Sequence, residues 1–254
     1  MIVFGLVIAL AAAARSTWSP CGLSMLSTIT PIGERGRGNA YATTARWYVA
    51  GAATGGMCLG VIGALLSLVL GAHGDARLVV IALAALVAAS SDACVGGFAL
   101  PTHRRQVNER WLDQYRPWVY GGGFGWQIGT GLATYITTAA VYLLVVVVAI
   151  GGSPMLAIAG GLVFGTTRGA AVLLTRNVRS AGDLRRVHVR VQDAGPALHD
   201  AVLAVEVAVA AVAATSVAPA LGLGALVAGA AVLAAARRHR PVVCDLDADR
   251  RTPA

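Results

Sequence analysis

The sequence has little charge. Only 13% of its 254 residues are Asp, Glu, Lys or Arg, whereas 57% are hydrophobic. Soluble domains carry about 25% charged residues, and these residues cover the surface around a single core. A chain so poor in charge cannot cover such a surface, which excludes an ordinary soluble domain. Lipid is therefore the expected outer solvent.

Lysine is absent, so all 20 basic residues are Arg, and the formal net charge is +8. A positive charge balance can indicate nucleic-acid binding. Here, however, the arginines cluster in short segments between long apolar runs, as they do in the cytoplasmic loops of membrane proteins. We therefore predict the lipid bilayer as a partner, and no nucleic acid.

The sequence also lacks the motifs of common metal sites and enzymes. Its four cysteines form no CxxC pair, and no Cys/His spacing fits a zinc site. There is no phosphate-binding loop, no nucleotide fingerprint and no Ser-His-Asp pattern. We predict no metal and no cofactor.

Long apolar runs fill most of the chain. A helix needs about 20 apolar residues to cross a bilayer, and seven stretches are candidates: 2–33, 44–72, 78–100, 118–150, 154–175, 199–217 and 221–236. We predict an all-α fold, a polytopic membrane helix bundle of about seven transmembrane helices.

The loops alternate in charge. Arginines are frequent in the segments 34–46, 101–117 and 176–198 and in the tail 237–254, whereas 71–77, 151–153 and 218–222 contain one Arg in all. Positively charged loops stay in the cytoplasm. We therefore predict a multi-pass protein of the cell membrane, with its N-terminus outside and its C-terminus cytoplasmic.

The first and fourth apolar segments are similar. Both are longer than one straight span, and both are interrupted, the first at 15–22 and the fourth at 121–131. Pro20-Cys21-Gly22-Leu23-Ser24 aligns with Gly129-Thr130-Gly131-Leu132-Ala133, three helices later. Because three is odd, the two copies cross the membrane in opposite directions, which indicates an inverted 3+3 repeat. Such repeats place their binding site near the bilayer midplane.

The repeat also defines the predicted domain organisation. A transmembrane domain covers residues 1–236, and a cytoplasmic tail follows. The divisions are repeat one at 1–100, repeat two at 118–217, an extra C-terminal helix at 221–236 and the tail at 237–254.

The segment Ser19-Pro20-Cys21-Gly22-Leu23-Ser24-Met25 resembles the S-P-C-x-L-P motif of the cytochrome c biogenesis and thiol–disulfide interchange transmembrane family (CcdA/DsbD type). The resemblance implies an inverted repeat and a Pro-Cys motif in the first and fourth helices. It also implies that two cysteines pass reducing equivalents outward to a thioredoxin-like protein. More distant relatives of this architecture export small solutes.

The chain departs from this family at important positions. Ser24 and Ser27 stand where the family usually has Pro, and Thr130 stands where the partner cysteine is expected. Cys21 alone cannot shuttle a thiol pair. If the chain is an enzyme, the resemblance implies a thiol–disulfide oxidoreductase in which Cys21 acts with Cys94 or with a thiol of a partner protein.

Four ionisable residues fall within the predicted spans: Arg15, Asp92, Arg168 and Glu206. Each costs about 2.5–3.5 kcal/mol at a helix centre, so such residues usually face the bundle interior and mark a pathway. We expect the long side chain of Arg168 to reach the inner interface. The candidate substrate-binding residues are Arg15, Trp18, Pro20, Cys21, Gln127, Thr130, Asp92 and Glu206.

Three functions are compatible with these features. The first is transport of a small solute through a midplane site between the two repeats. The second is transmembrane thiol–disulfide electron transfer, as the family resemblance implies. The third is an assembly or scaffold role, in which the buried charges hold helices together.

Overall fold

The computed structural model describes residues 2–70, 74–101 and 110–238. Within these residues the chain forms α-helices and two short 3-10 turns, with no strands. The helices are α1 (Ile2–Ser16), α2 (Pro20–Thr28), α3 (Pro31–Gly36), α4 (Tyr41–Leu70), α5 (Asp75–Asp92), α6 (Trp111–Gln114), α7 (Pro117–Thr130), α8 (Ala140–Ile150), α9 (Pro154–Ala170), α10 (Ala181–Thr215) and α11 (Pro219–Arg238).

The helices form a polytopic membrane bundle, as predicted. Among the described residues, α4, α10, α11 and the segment Pro154–Thr175 are long and apolar enough to cross a membrane. Helices α1 and α2, bent by 66°, make a fifth span when taken together. Fewer continuous spans are found than the seven predicted, because α7 and α8 are separated by a break and α5 has charged residues at both ends.

Helix α4 packs against α7 and α9. Its backbone touches theirs at glycines. A Cβ atom on Gly56 would lie 2.2 Å from the carbonyl oxygen of Gly161, and one on Gly125 would lie 2.0 Å from the carbonyl oxygen of Tyr48. Small residues allow this close approach in membranes, where packing drives helix association.

The first helix breaks where the sequence predicts. Helix α1 ends at Ser16, and α2 begins at Pro20. The Ser19 hydroxyl accepts a hydrogen bond from the Gly22 amide at 3.2 Å, so Ser19 caps α2 and Pro20 takes the first helical position. Both residues are typical of helix starts.

The second break lies later than predicted. Helix α7 continues through the glycines at 121–125, and the break covers residues 131–139. It begins at Gly131, whose φ is +69°, a backbone conformation that glycine adopts most readily. The earlier glycines of α7 allow contact with α4, so they do not interrupt the helix.

Other predicted boundaries also shift. Helix α5 ends at Asp92 instead of Leu100, because Cys94 takes a left-handed conformation before a 3-10 turn. Helix α10 begins at Ala181, inside the segment expected to be a basic loop, and it continues through Pro196. At about 1.5 Å per residue its 35 residues exceed the thickness of the hydrocarbon core. The tail at 239–254, with Cys244, lies outside the described residues.

The connections gather at two opposite ends of the bundle. At one end, a Cβ atom on Gly152 would lie 3.0 Å from Nη1 of Arg77. At the other end, the Tyr41 hydroxyl donates to the Val172 carbonyl at 2.9 Å, and the Thr175 hydroxyl donates to the Ile29 carbonyl at 2.9 Å. These contacts join residues next to the connections at each end, and which end faces the cytoplasm stays a prediction.

Candidate functional site

The first polar centre of the bundle is Arg168, near the end of α9. Only 2% of Arg168 is exposed. Its Nη1 donates to the carbonyl of Ile128, near the end of α7, at 2.8 Å, and its Nη2 donates to the hydroxyl of Ser19, the cap of α2, at 3.4 Å. A cation is favoured at a helix C-terminus by the partial negative charge of the last carbonyls. Arg168 therefore joins the two broken helices.

The expectation that Arg168 reaches the inner interface is wrong. Its guanidinium has acceptors within the bundle, and its central carbon lies 5.8 Å from the centre of the Phe164 ring. Hydrogen bonds to a carbonyl and a hydroxyl, together with a cation–π contact, offset the cost of burying the charge. The contacts of Arg168 with Ile128, Ser19 and Phe164 could not be read from the sequence.

A small cavity lies beside this guanidinium. Its volume is about 10 Å³, which is close to the minimum that holds one water molecule. It is lined by Thr17, Gly22, Met25, Leu26, Tyr48, Ile128, Arg168, Ala171 and Val172. The described conformation therefore leaves no room for a larger solute at this point.

Cys21 lies in an apolar cluster next to the first break. It is 2% exposed and packs in the same cluster as Met25 and Ile128. Cys21 carries a reduced thiol, whereas Cys94 is in a disulfide. The two cysteines are therefore not bonded to each other in this conformation.

The other predicted residues near the breaks have structural contacts. The indole Nε1 of Trp18 donates to the Val191 carbonyl of α10 at 2.8 Å. The Thr130 hydroxyl donates to the Gln127 carbonyl of its own helix at 2.8 Å. Pro20 is exposed at the start of α2. These contacts explain the polar groups of Trp18 and Thr130 as supports of the two breaks.

The second polar centre is Asp92, at the end of α5. Its Oδ1 accepts from the Ala139 amide at 2.6 Å, and its Oδ2 accepts from the Thr138 hydroxyl. Both donors stand at the start of α8, where a helix attracts negative charge. Arg15, in the last turn of α1, and His199, on α10, interact electrostatically with Asp92. Asp92 therefore fixes the end of α5 to the start of α8, at the second break.

Glu206 on α10 lies near Asp92 but is held differently. It is 1% exposed, and neither of its carboxylate oxygens has a hydrogen-bond partner among the described residues. Its electrostatic neighbour is Asp92. His199 precedes it by seven residues, two turns earlier on the same helix face. This spacing was the sequence signal that could have added His199 to the predicted group.

A third polar group, also missed, surrounds Glu34 at the end of the bundle that holds Tyr41 and Ile29. Glu34 is 0% exposed. Its carboxylate accepts from Arg37 at 2.7 Å, from the Thr44 hydroxyl at 2.6 Å and from the Tyr120 hydroxyl at 2.5 Å. The group joins α3, α4 and α7, and the Arg37 spacing of three residues was its only local signal.

These features define a multi-pass helical membrane protein with ionisable side chains at the ends of two broken helices. Relatives share part of its sequence. The chain is 31% identical over 166 residues to the methylamine utilization protein MauF of Paracoccus versutus, which covers 62% of the chain and 59% of the relative. It is 32% identical over 168 residues to MauF of Methylophilus methylotrophus, with 64% and 58% covered.

A third relative is MauF of Paracoccus denitrificans, 30% identical over 139 residues, with 54% of the chain and 50% of the relative covered. The chain thus spans between half and three fifths of the length of these relatives. No family model matches the chain, and no solved structure matches it.

The resemblance to the thiol–disulfide interchange family is therefore wrong. The relatives are named MauF, and the motif that carried the resemblance has a local explanation. Ser19 and Pro20 are the cap and first residue of α2, a pair that many helix starts use. A seven-residue motif built around such a pair indicates a helix start more than a redox site.

Proposed function

We propose that the chain is an integral membrane transport protein, which moves a small amine through its interior between two inverted three-helix halves, residues 1–100 and 118–217. One observation carries the proposal: each break is held by an ionisable side chain that reaches across the halves. Arg168 of the second half contacts Ser19 of the first, and Asp92 of the first half contacts Ala139 of the second. Broken helices at a repeat interface are the typical place of a transport site.

The mechanism is alternating access. In the described conformation the cavity beside Arg168 has room for about one water molecule, which corresponds to a closed state. Movement of α1, α2, α5 and α10 against α4, α7 and α9 changes the contacts of Arg168 with Ser19 and of Asp92 with the start of α8, and opens a path to one side. The N-terminus then lies outside and the C-terminus in the cytoplasm, as the arginine distribution indicates.

The solute class is suggested by two features. The relatives are named methylamine utilization proteins, and we propose that this chain also serves methylamine utilization. Two buried carboxyl groups, Asp92 and Glu206, lie close enough to interact. An ionised carboxylate inside a membrane protein, as Asp92 with its two donors is, attracts cations, so a small protonated amine fits the polar interior.

The test is exchange of labelled methylammonium across proteoliposomes that contain the purified protein, with equal unlabelled amine on both sides. The pH is kept well below the pKa of the amine so that the cation dominates. We expect exchange with the wild type and a loss of about tenfold or more with Asp92→Asn or Arg168→Lys. Asp193→Asn, which changes an exposed carboxylate of α10, is the control and keeps full exchange.

Two results would contradict the proposal. One is wild-type exchange no faster than in protein-free vesicles. The other is full exchange in both Asp92→Asn and Arg168→Lys. An assembly role predicts the first result together with loss of growth on methylamine when the gene is deleted.

A further inference from the structure

Glu206 is buried without the partners that other buried carboxylates of the chain have. Its neighbours on the buried face of α10 are apolar: Leu203, Val207 and Ala210. Neither carboxylate oxygen has a hydrogen-bond partner among the described residues. Glu34 is equally buried but accepts from three donors. Burying a carboxylate without donors is costly, so such a group is neutralised.

The surrounding elements supply no cation for Glu206. The facing helix α5 presents Asp92, whose negative charge opposes a second negative charge nearby. Arg15 of α1 and His199 of α10 interact with Asp92, and Asp92 also holds the start of α8. The neighbouring helix α11 has no ionisable residue before its final arginines. Arg15 therefore interacts with Asp92, and the residues that the structure describes supply no counter-ion for Glu206.

A metal ion does not fit this place. Among the described residues, no three His, Cys, Asp or Glu side chains come together closely enough to hold one. Hard cations such as calcium take six or more oxygen ligands, whereas the neighbours of Glu206 on its own helix face are apolar and its electrostatic neighbour is Asp92. The cation that needs no further ligand and no further space is the proton.

We propose that Glu206 is a reversible proton-binding site in the interior of the bundle. The carboxylate takes a proton from water on one side when the path to that side opens, and it returns the same proton to water on the other side. No electron moves, and no bond other than O–H forms or breaks. That this proton movement accompanies solute movement rests on the transport function proposed above.

Infrared spectroscopy of the purified full chain tests the site itself. A protonated carboxyl group absorbs at a C=O stretching frequency that a carboxylate lacks. We expect this band at neutral pH in the wild type and in Glu34→Gln, and its loss in Glu206→Gln. Absence of the band in the wild type, or its persistence in Glu206→Gln, would overturn the proposal.

A labelling experiment needs no variant and so does not depend on how Glu206→Gln folds. Dicyclohexylcarbodiimide is an apolar reagent that modifies protonated carboxyl groups inside membranes. Peptide mass spectrometry of the labelled wild type is expected to find the adduct on Glu206, less of it at higher pH, and none on Glu34. An unlabelled Glu206 in the folded protein at every pH contradicts the proposal.

The link to transport has a separate readout. In vesicles that exchange methylammonium, we expect the wild-type rate to change with pH and the Glu206→Gln rate to stay constant. A Glu206→Gln rate that follows pH like the wild type contradicts the coupling. Absence of exchange in the wild type would instead reject the transport function, and it would leave the infrared and labelling results for Glu206 unchanged.

Discussion

At the scale of single residues, Glu34 shows what a buried charge needs in this bundle. Its carboxylate binds Arg37, Thr44 and Tyr120, and it is completely buried. Charged hydrogen bonds of this kind contribute about 1.5–3 kcal/mol each, and removing one partner leaves the others without an acceptor. Glu34 therefore stabilises the contact between α3, α4 and α7.

We predict that Glu34→Ala lowers the stability of the detergent-solubilised protein by about 3–5 kcal/mol, measured as a lower Tm. Glu34→Gln keeps the shape and one acceptor oxygen and is expected to cost less. Asp193→Asn, which removes an exposed carboxylate of α10, is the control with an unchanged Tm. A Tm of Glu34→Ala equal to that of Asp193→Asn would show that the group is not structural.

Arg168 depends on the planar shape of its guanidinium. Two different nitrogens reach Ile128 and Ser19, a geometry that a lysine ammonium cannot reproduce. We predict that Arg168→Lys destabilises the protein by about 1–3 kcal/mol, seen as a Tm decrease. Arg185→Lys, at an exposed position of α10, serves as the matched substitution, and equal effects of the two would refute the role given to Arg168.

At the scale of elements, the close contact of α4 with its neighbours depends on glycines, which have no side chain to separate the helices. A methyl group on Gly56 would lie 2.2 Å from a backbone oxygen of α9, so Gly56→Ala must separate two helix backbones. We predict a loss of about 1–3 kcal/mol, the usual cost of overpacking, in unfolding by a denaturing detergent. Gly224→Ala on α11, where a Cβ meets no atom within 4 Å, is expected to be neutral; a neutral Gly56→Ala would contradict the close contact.

The elements also show which features can be predicted from sequence. The bundle class follows from apolar length, and the first break follows from the local chemistry of Ser19 and Pro20. The second break was misplaced, because a glycine that allows backbone contact, such as Gly125, looks the same in sequence as one that interrupts a helix. The groups around Arg168 and Glu34 could not be predicted in full, since partners such as Ser19 of Arg168 and Tyr120 of Glu34 lie many residues away and only the packing brings them together.

At the scale of the whole molecule, the arginine distribution predicts an orientation that can be tested. Asp75 and Arg179 are exposed and lie in connections predicted on opposite sides of the membrane. We expect Asp75→Cys to react with a membrane-impermeant maleimide in intact cells, and Arg179→Cys to react only after permeabilisation. The wild type controls for Cys21 and Cys58. The opposite labelling pattern would invert the proposed orientation.

The glycine contacts of α4 have a mechanical consequence. Where side chains separate two helices, they can change rotamer and let the helices tilt. Where two helix backbones are in direct contact, no side chain between them can rearrange in this way. Helices α4, α7 and α9, joined at Gly56, Gly125 and Gly161, are thus expected to behave as one stiff block. Any opening of the bundle then requires α1, α5, α10 and α11 to move together against that block. Asp92 and Glu206 lie on these moving helices.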